Sequence, residues 1–118
     1  NRLFGCFPVE SPPETSPYRW CGERALIERA VTGNGEKIEV TLESGPLAET
    51  IELQAEGMPA TSVNLSPGEK RTVSVPISDS ARSRQIALIR LKASRSFIPM
   101  LRWPSSSDPR RLAVKVVS

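Results

Sequence analysis

The residues able to do chemistry in this chain are few. Its 118 residues include no histidine and two cysteines, which excludes Ser-His-Asp and Cys-His catalysis and any imidazole metal site. Carboxylates are left as candidates for acid–base work. Most, such as Glu39, Glu43 and Glu52, fall at outward positions of alternating stretches, where nothing raises a pKa as general acid catalysis requires. Glu10 and Asp108 differ, because each lies in a loop beside aromatic and arginine residues; a glycosidase-type carboxylate pair would have to be built there. Gly33-Asn34-Gly35 is too short, and in the wrong context, to cradle a phosphate. The expectation is a domain that is not an enzyme and takes no metal and no cofactor.

Binding chemistry has better candidates. Tyr18, Trp20 and Trp103 are rings that a β-sandwich could offer to a sugar face, and Arg19 and Arg102 stand directly beside the two tryptophans. The competing reading places both tryptophans in core or rim packing, where their large apolar surface usually goes. Cys6 and Cys21 flank the Pro-rich stretch Ser11–Pro17. A disulfide between them would staple that loop and imply an oxidising compartment, whereas two reduced thiols would act as small hydrophobes. Asn64-Leu65-Ser66 matches a glycosylation sequon, but Pro67 follows it and no function is assigned to it.

Charge is placed unevenly. Residues 1–70 hold six Lys or Arg and eleven Glu, while residues 71–118 hold ten Lys or Arg against Asp79 and Asp108. Such asymmetry suits either an anionic partner or acidic and basic strands paired across a sheet. Neither half has a dense basic run, and aromatic interleaving is sparse, so no specific nucleic-acid partner is expected. No run approaches the roughly 18 apolar residues of a membrane span, and no insertion of this segment into a membrane is expected. The chain starts at Asn1 with no signal-peptide pattern after it, which reads as a processed product or an excised piece of something larger, the second being preferred.

These residues must be positioned by strands. Lys37–Glu43 alternates perfectly, with Ile38, Val40 and Leu42 on one face; Thr50–Ala55 and Arg71–Ile77 repeat the pattern, and Arg111–Val117 alternates with less contrast. Gln85–Leu91 is apolar on both parities, as a central strand covered on each side would be, and Arg24–Ala30 reads as a further strand. Gly33-Asn34-Gly35 signals a hairpin; Ser44-Gly45-Pro46, Glu56–Pro59 and Ser66–Glu69 mark other connections, and Ser78-Asp79-Ser80 could cap a short helical turn. Eleven prolines and seven glycines argue against long helices. The pattern predicts one domain over residues 1–118, an all-β antiparallel β-sandwich of roughly eight or nine strands, jelly-roll or immunoglobulin-like in type.

Taken together, Gly5-Cys6-Phe7-Pro8-Val9-Glu10 followed by Tyr18-Arg19-Trp20, and Ser94-Arg95-Ser96-Phe97-Ile98-Pro99 followed by Asp108-Pro109-Arg110-Arg111-Leu112-Ala113-Val114, form a recognisable opening and closure. They resemble those of the C-terminal β-sandwich domain of bacterial multi-spanning membrane proteins of glycosyltransferase type, across nearly the whole chain. The resemblance implies a non-catalytic sandwich on the extracytoplasmic side of a bacterial envelope, at the periplasm or cell surface. Its partners would be the attached membrane or catalytic region of a larger chain and a glycan. Among the matched residues, Glu10, Arg19, Asp108 and Arg110 are expected to form a network, with Asp108 or Glu10 engaging Arg19 or Arg110 and fixing the chain's first and last segments side by side. The expected role is structural support or carbohydrate binding. The alternative is a self-assembling subunit of an extracellular filament or appendage whose edge strands pair with neighbours; oligomeric state is not legible in the sequence.

Overall fold

A computed structural model describes residues 3–13, 16–32 and 35–117. Eight strands occur among them: β1 (Leu3–Cys6), β2 (Tyr18–Ala30), β3 (Lys37–Ser44), β4 (Glu49–Ala55), β5 (Thr61–Leu65), β6 (Lys70–Pro76), β7 (Ile86–Ala93) and β8 (Val114–Val117). Two short helices, α1 (Asp79–Arg84) and α2 (Pro99–Arg102), lie in the connections around β7. Every pairing is antiparallel, and the strand order is β5-β4-β7-β2-β8-β3-β6 with β1 added alongside β2. The protein is therefore all-β and antiparallel, as the alternation predicts. The Gly33-Asn34 part of the expected hairpin lies outside the described residues.

The long strand β2 organises the rest. Its residues 24–30 pair with β7, and its residues 18–21 pair with β8. On its other edge it carries β1 and the bridge from Glu10 to Tyr18. One strand thus serves two groups, β7-β4-β5 and β8-β3-β6, and the sheet folds over so that β6 approaches β4 and β5. The register of β1 on β2 slips between Phe4 and Cys6. Gly5 stands there at φ 80°, where a Cβ would run into the carbonyl oxygen of Arg24; only glycine accepts both conditions. Immediately beyond this irregularity a disulfide joins Cys6 to Cys21, next to the point where β2 passes from one partner strand to the other. A disulfide of this kind belongs to an oxidising environment. No helix among the described residues is long and apolar enough to cross a membrane.

Alternation accounts for the core. Ile27, Val40, Leu42, Ile51, Leu53, Val75 and Ile89 are fully buried on the inward faces, while their sequence neighbours face outward. Burying each such side chain contributes about 1.5–3 kcal/mol. Gln85–Leu91 departs from its expected environment: β7 is central, but Ile86 and Arg90 are exposed and Leu88 is half-buried. It is covered on one face, and the outward apolar residues blur the alternation. The turn at Ser78 does cap a helix, its hydroxyl accepting the Ala81 N–H at the start of α1.

One charged group breaks the pattern. Glu49 opens β4 on the inward parity, is only 6% exposed, and leaves its Oε1 without a hydrogen-bond partner. Burial pushes its carboxyl up to about 7, because surroundings of low dielectric disfavour the charged form. The folded state thus holds this proton more tightly than the unfolded chain, so the associated stability is fully present below the ordinary value of 4.5 and is lost as pH rises through about 7. Glu49→Gln is expected to flatten that loss, raising the urea midpoint at pH 8 by the equivalent of up to about 3 kcal/mol and changing it little at pH 4. Parallel midpoint-versus-pH curves for the two proteins would contradict this.

Candidate aromatic groove

The connection from β7 to β8 does not simply pass over the rim. It folds back onto the outer face of β2-β8-β3, held by paired backbone bonds between Phe97 and Leu112 (2.7 and 2.8 Å) and by the Met100 N–H donating to the Asp108 carbonyl (2.9 Å). Pro99 begins α2, a helical position that has no use for an amide hydrogen, and it is buried. Phe97 is thereby laid across the start of β2 and onto Gly45, where a Cβ would come within 2.5 Å of the ring. A glycine at 45 is what permits this approach.

The result is a chain of edge-to-face rings. Tyr18 meets Trp20 at 6.4 Å, Trp20 meets Phe97 at 5.5 Å, and Phe97 meets Trp103 at 5.8 Å, with interplanar angles of 76–89°. Trp20, Phe97 and Trp103 line an open, mostly apolar groove of about 490 Å³, with Pro46, Pro67 and Pro99 along its sides. The wall bearing Pro67 is a built turn. Gly68 donates its N–H to the Gly45 carbonyl, and the Glu69 carboxylate accepts the Ser66 N–H and pairs with Arg71. The Ser66 backbone bond, then Arg71, hold the Glu69 carboxyl below its usual range.

Charged groups edge the groove. Lys115 lies over both Tyr18 and Trp20, 4.4 and 5.1 Å from the ring centres, and its ammonium is 3.1 Å from the Glu43 carboxylate. Trp20, Lys115 and Glu43 are direct register partners across β2, β8 and β3, so their side chains share one face. Arg102 sits 5.8 Å from the centre of the Trp103 ring. A second depression, about 340 Å³ and lined by Leu26, Gln54, Glu56, Leu88 and Arg90, lies on the outer face of β2-β7-β4 and offers no ring.

Three of the expected ligand residues, Tyr18, Trp20 and Trp103, are brought into this one assembly, with Arg102 at its edge. Arg19 is not: on a strand it points to the face opposite Tyr18 and Trp20. Of the expected network, Arg110 is the cation that engages both acids. Its guanidinium grips Asp108 with Nε 2.9 Å from Oδ1 and Nη2 2.7 Å from Oδ2, and reaches Glu10 at 3.5 Å. It also stacks 5.1 Å from the centre of the Phe7 ring. No ion pair joins Arg19 to either acid among the described residues. The grip of Arg110 holds the Asp108 carboxyl below its ordinary value, first through the side-chain bonds and then through the Arg110 N–H, and raises the Arg110 guanidinium in return. Residues 7–10 and 108–110 are thus fastened together beside the groove.

Phe97, Pro46, Pro67, Gly45, Lys115 and Glu43 were not singled out as candidate site residues by sequence reasoning. Phe97 and its Pro99 partner are visible only within the Ser94–Pro99 motif, and the two wall prolines read simply as turn signals.

The arrangement presents a flat, partly apolar surface whose neighbouring acids are already engaged. Asp108 and Glu10 are committed to Arg110, Glu43 to Lys115, and Glu49, whose carboxyl is pushed up by burial, faces the core. Among the described residues, no three His, Cys, Asp or Glu side chains gather where they could hold a metal ion. Comparison of the chain with known protein families, with curated proteins and with solved structures finds no match.

Asp108→Ala is expected to lower stability by about 1–2 kcal/mol, the worth of a charge-assisted bidentate contact that is only partly shielded from water. The urea midpoint measures it. A midpoint equal to that of the unaltered protein would show that the Arg110 clasp carries no structural load.

Proposed function

We propose that this domain is a non-catalytic carbohydrate-binding module, an accessory β-sandwich attached to the membrane or catalytic region of a larger bacterial envelope protein. The observation that carries the reading is the groove. Trp103 is 42% exposed beside Phe97 in a groove that Trp20 also lines, so much of the indole is left to water where packing could have covered it. Sugar rings present C–H faces that suit such surfaces, while their hydroxyls need nearby charged or polar groups; Lys115, Glu43 and Arg102 supply these at the edge. The prolines of the walls and the two anchored turns keep the groove preformed, which lowers the ordering cost of binding.

The extracytoplasmic location rests on the Cys6–Cys21 disulfide together with the resemblance of the opening and closing motifs to envelope glycosyltransferase domains. The acids near the groove support a non-catalytic role, since Glu43 is paired with Lys115 and both Glu10 and Asp108 contact the one guanidinium of Arg110.

A glycan array read with the purified domain tests the proposal. The domain should retain at least one saccharide class, and Trp103→Ala should weaken retention by about tenfold, with Trp103→Phe recovering part of it. The variant should keep the unaltered urea midpoint to within about 1 kcal/mol, since the ring is substantially exposed. Failure of the domain to retain any saccharide, or undiminished retention by Trp103→Ala, would overturn the reading.

A further inference from the structure

The α2 turn carries two exposed apolar side chains, Met100 and Leu101, that the groove does not use. Six large hydrophobic side chains are conspicuously exposed among the described residues, and three of them, Met100 (45%), Leu101 (76%) and Trp103 (42%), fall within four consecutive positions. Neither Met100 nor Leu101 lines the groove. Their exposure does not come from a loose loop. The Leu101 and Arg102 N–H groups donate to the Ile98 carbonyl, the Trp103 N–H to that of Pro99, and the Met100 N–H to that of Asp108. The turn is held from both sides, and it holds its apolar side chains out.

The connection that carries the tip is rich in positive charge. Between residues 95 and 111 the chain carries four arginines and one aspartate, and that aspartate is taken by Arg110. Arg95, Arg102 and Arg111 are exposed and have no carboxylate partner among the described residues. Arg95 donates to the Ala48 carbonyl, Arg111 to the Ser96 hydroxyl, and Arg102 rests near the Trp103 ring.

The geometry points to a bilayer surface containing anionic lipid as the partner of this tip: Met100 and Leu101 enter the headgroup region while Arg95, Arg102 and Arg111 meet the headgroup phosphates. Two considerations select lipid over protein. A pair of protruding side chains on one turn is far smaller than the roughly 800 Å² per partner of a stable protein interface, whereas a lipid surface sets no such minimum. An aliphatic tip with an adjacent indole, on a connection bearing exposed arginines, also matches the polarity gradient of the water–lipid boundary, where tryptophan is favoured and arginine extends to the headgroups. The contact is a shallow seating among the headgroups and not a span, so it differs from the insertion that the sequence argues against. Met100, Leu101, Arg95 and Arg111 lie outside the groove lining, so the contact is separable from saccharide binding, while Arg102 and Trp103 border both.

Co-sedimentation with vesicles tests it, using phosphatidylcholine alone and phosphatidylcholine mixed with phosphatidylglycerol. The domain should bind the mixed vesicles with a blue shift of tryptophan emission, and bind the neutral ones more weakly. Leu101→Asp should reduce binding to mixed vesicles about tenfold or more. Arg95→Gln and Arg111→Gln should each reduce it about fivefold and lessen its salt dependence. Both kinds of variant should keep the saccharide retention of the unaltered domain, so a failed groove and a failed tip give different results. No binding to mixed vesicles, or equal binding by Leu101→Asp, would overturn the inference. So would a dimer in solution that Leu101→Asp dissolves without any vesicle binding, which would identify a second copy as the partner.

Discussion

Everything in this molecule hangs on a single strand that belongs to two groups of strands at once. Thirteen residues of β2 run from the aromatic end, where they pair with β8, to the far end, where they pair with β7. Strands twist as they extend, so a strand of this length cannot keep both neighbours in one plane. Gly5 and the slipped register of β1 absorb part of the change in direction, and the Cys6–Cys21 bond ties β1 to β2 beside it. In a chain-entropy account, closing a loop of 15 residues contributes about 3 kcal/mol by restricting the unfolded chain. The bond is also local to the turnover point, so it stabilises the corner on which both groups of strands rely.

The groove follows from the same strand. Inward residues of β2, such as Cys21 and Ile27, are committed to the core, which leaves Tyr18 and Trp20 on the outside. Two aromatic rings on the outer face of a sheet are costly to leave in water, and the β7–β8 connection covers them incompletely. Phe97 closes over Trp20, Arg110 fastens the connection to residues 7–10, and α2 projects beyond. The cover therefore makes a small second cluster of rings with an open side. Lys115 and Glu43 complete it, each satisfying the other while the lysine lies on the rings. Binding surface and tip are two consequences of one connection that packs against the sheet at its base and stays exposed at its apex.

The strands with one wet face were readable in the sequence. Lys37–Glu43, Thr50–Ala55 and Arg71–Ile77 alternate because water covers one side and the core the other, and β3, β4 and β6 lie there. The first half of β2 was hidden for the converse reason: its outer face is covered by rings, so Tyr18–Glu23 shows no contrast between parities. β1 and β5, of four and five residues, are too short for periodicity to rise above composition. Gln85–Leu91 misled because Ile86 and Leu88 are apolar yet face outward. At the site, residue type pointed to Tyr18, Trp20 and Trp103, and motif pairing to Glu10, Asp108 and Arg110. Neither could show that Phe97 links the two tryptophans, or that Pro46 and Pro67 wall the space between, since those relations exist only once β3, β6 and the β7–β8 connection meet. Arg19 was drawn into both sets by its neighbours in sequence, and strand alternation turns it away from them.

Site-resolved amide hydrogen exchange along β2 tests the shared strand most directly. If it is the element that unites the molecule, amides in residues 19–21 and 25–29 should open together, in the slowest-exchanging class and with one opening free energy. Fast, independent exchange of residues 19–21 while 25–29 remain protected would show two separate segments in place of one strand, and the account built on it would fail.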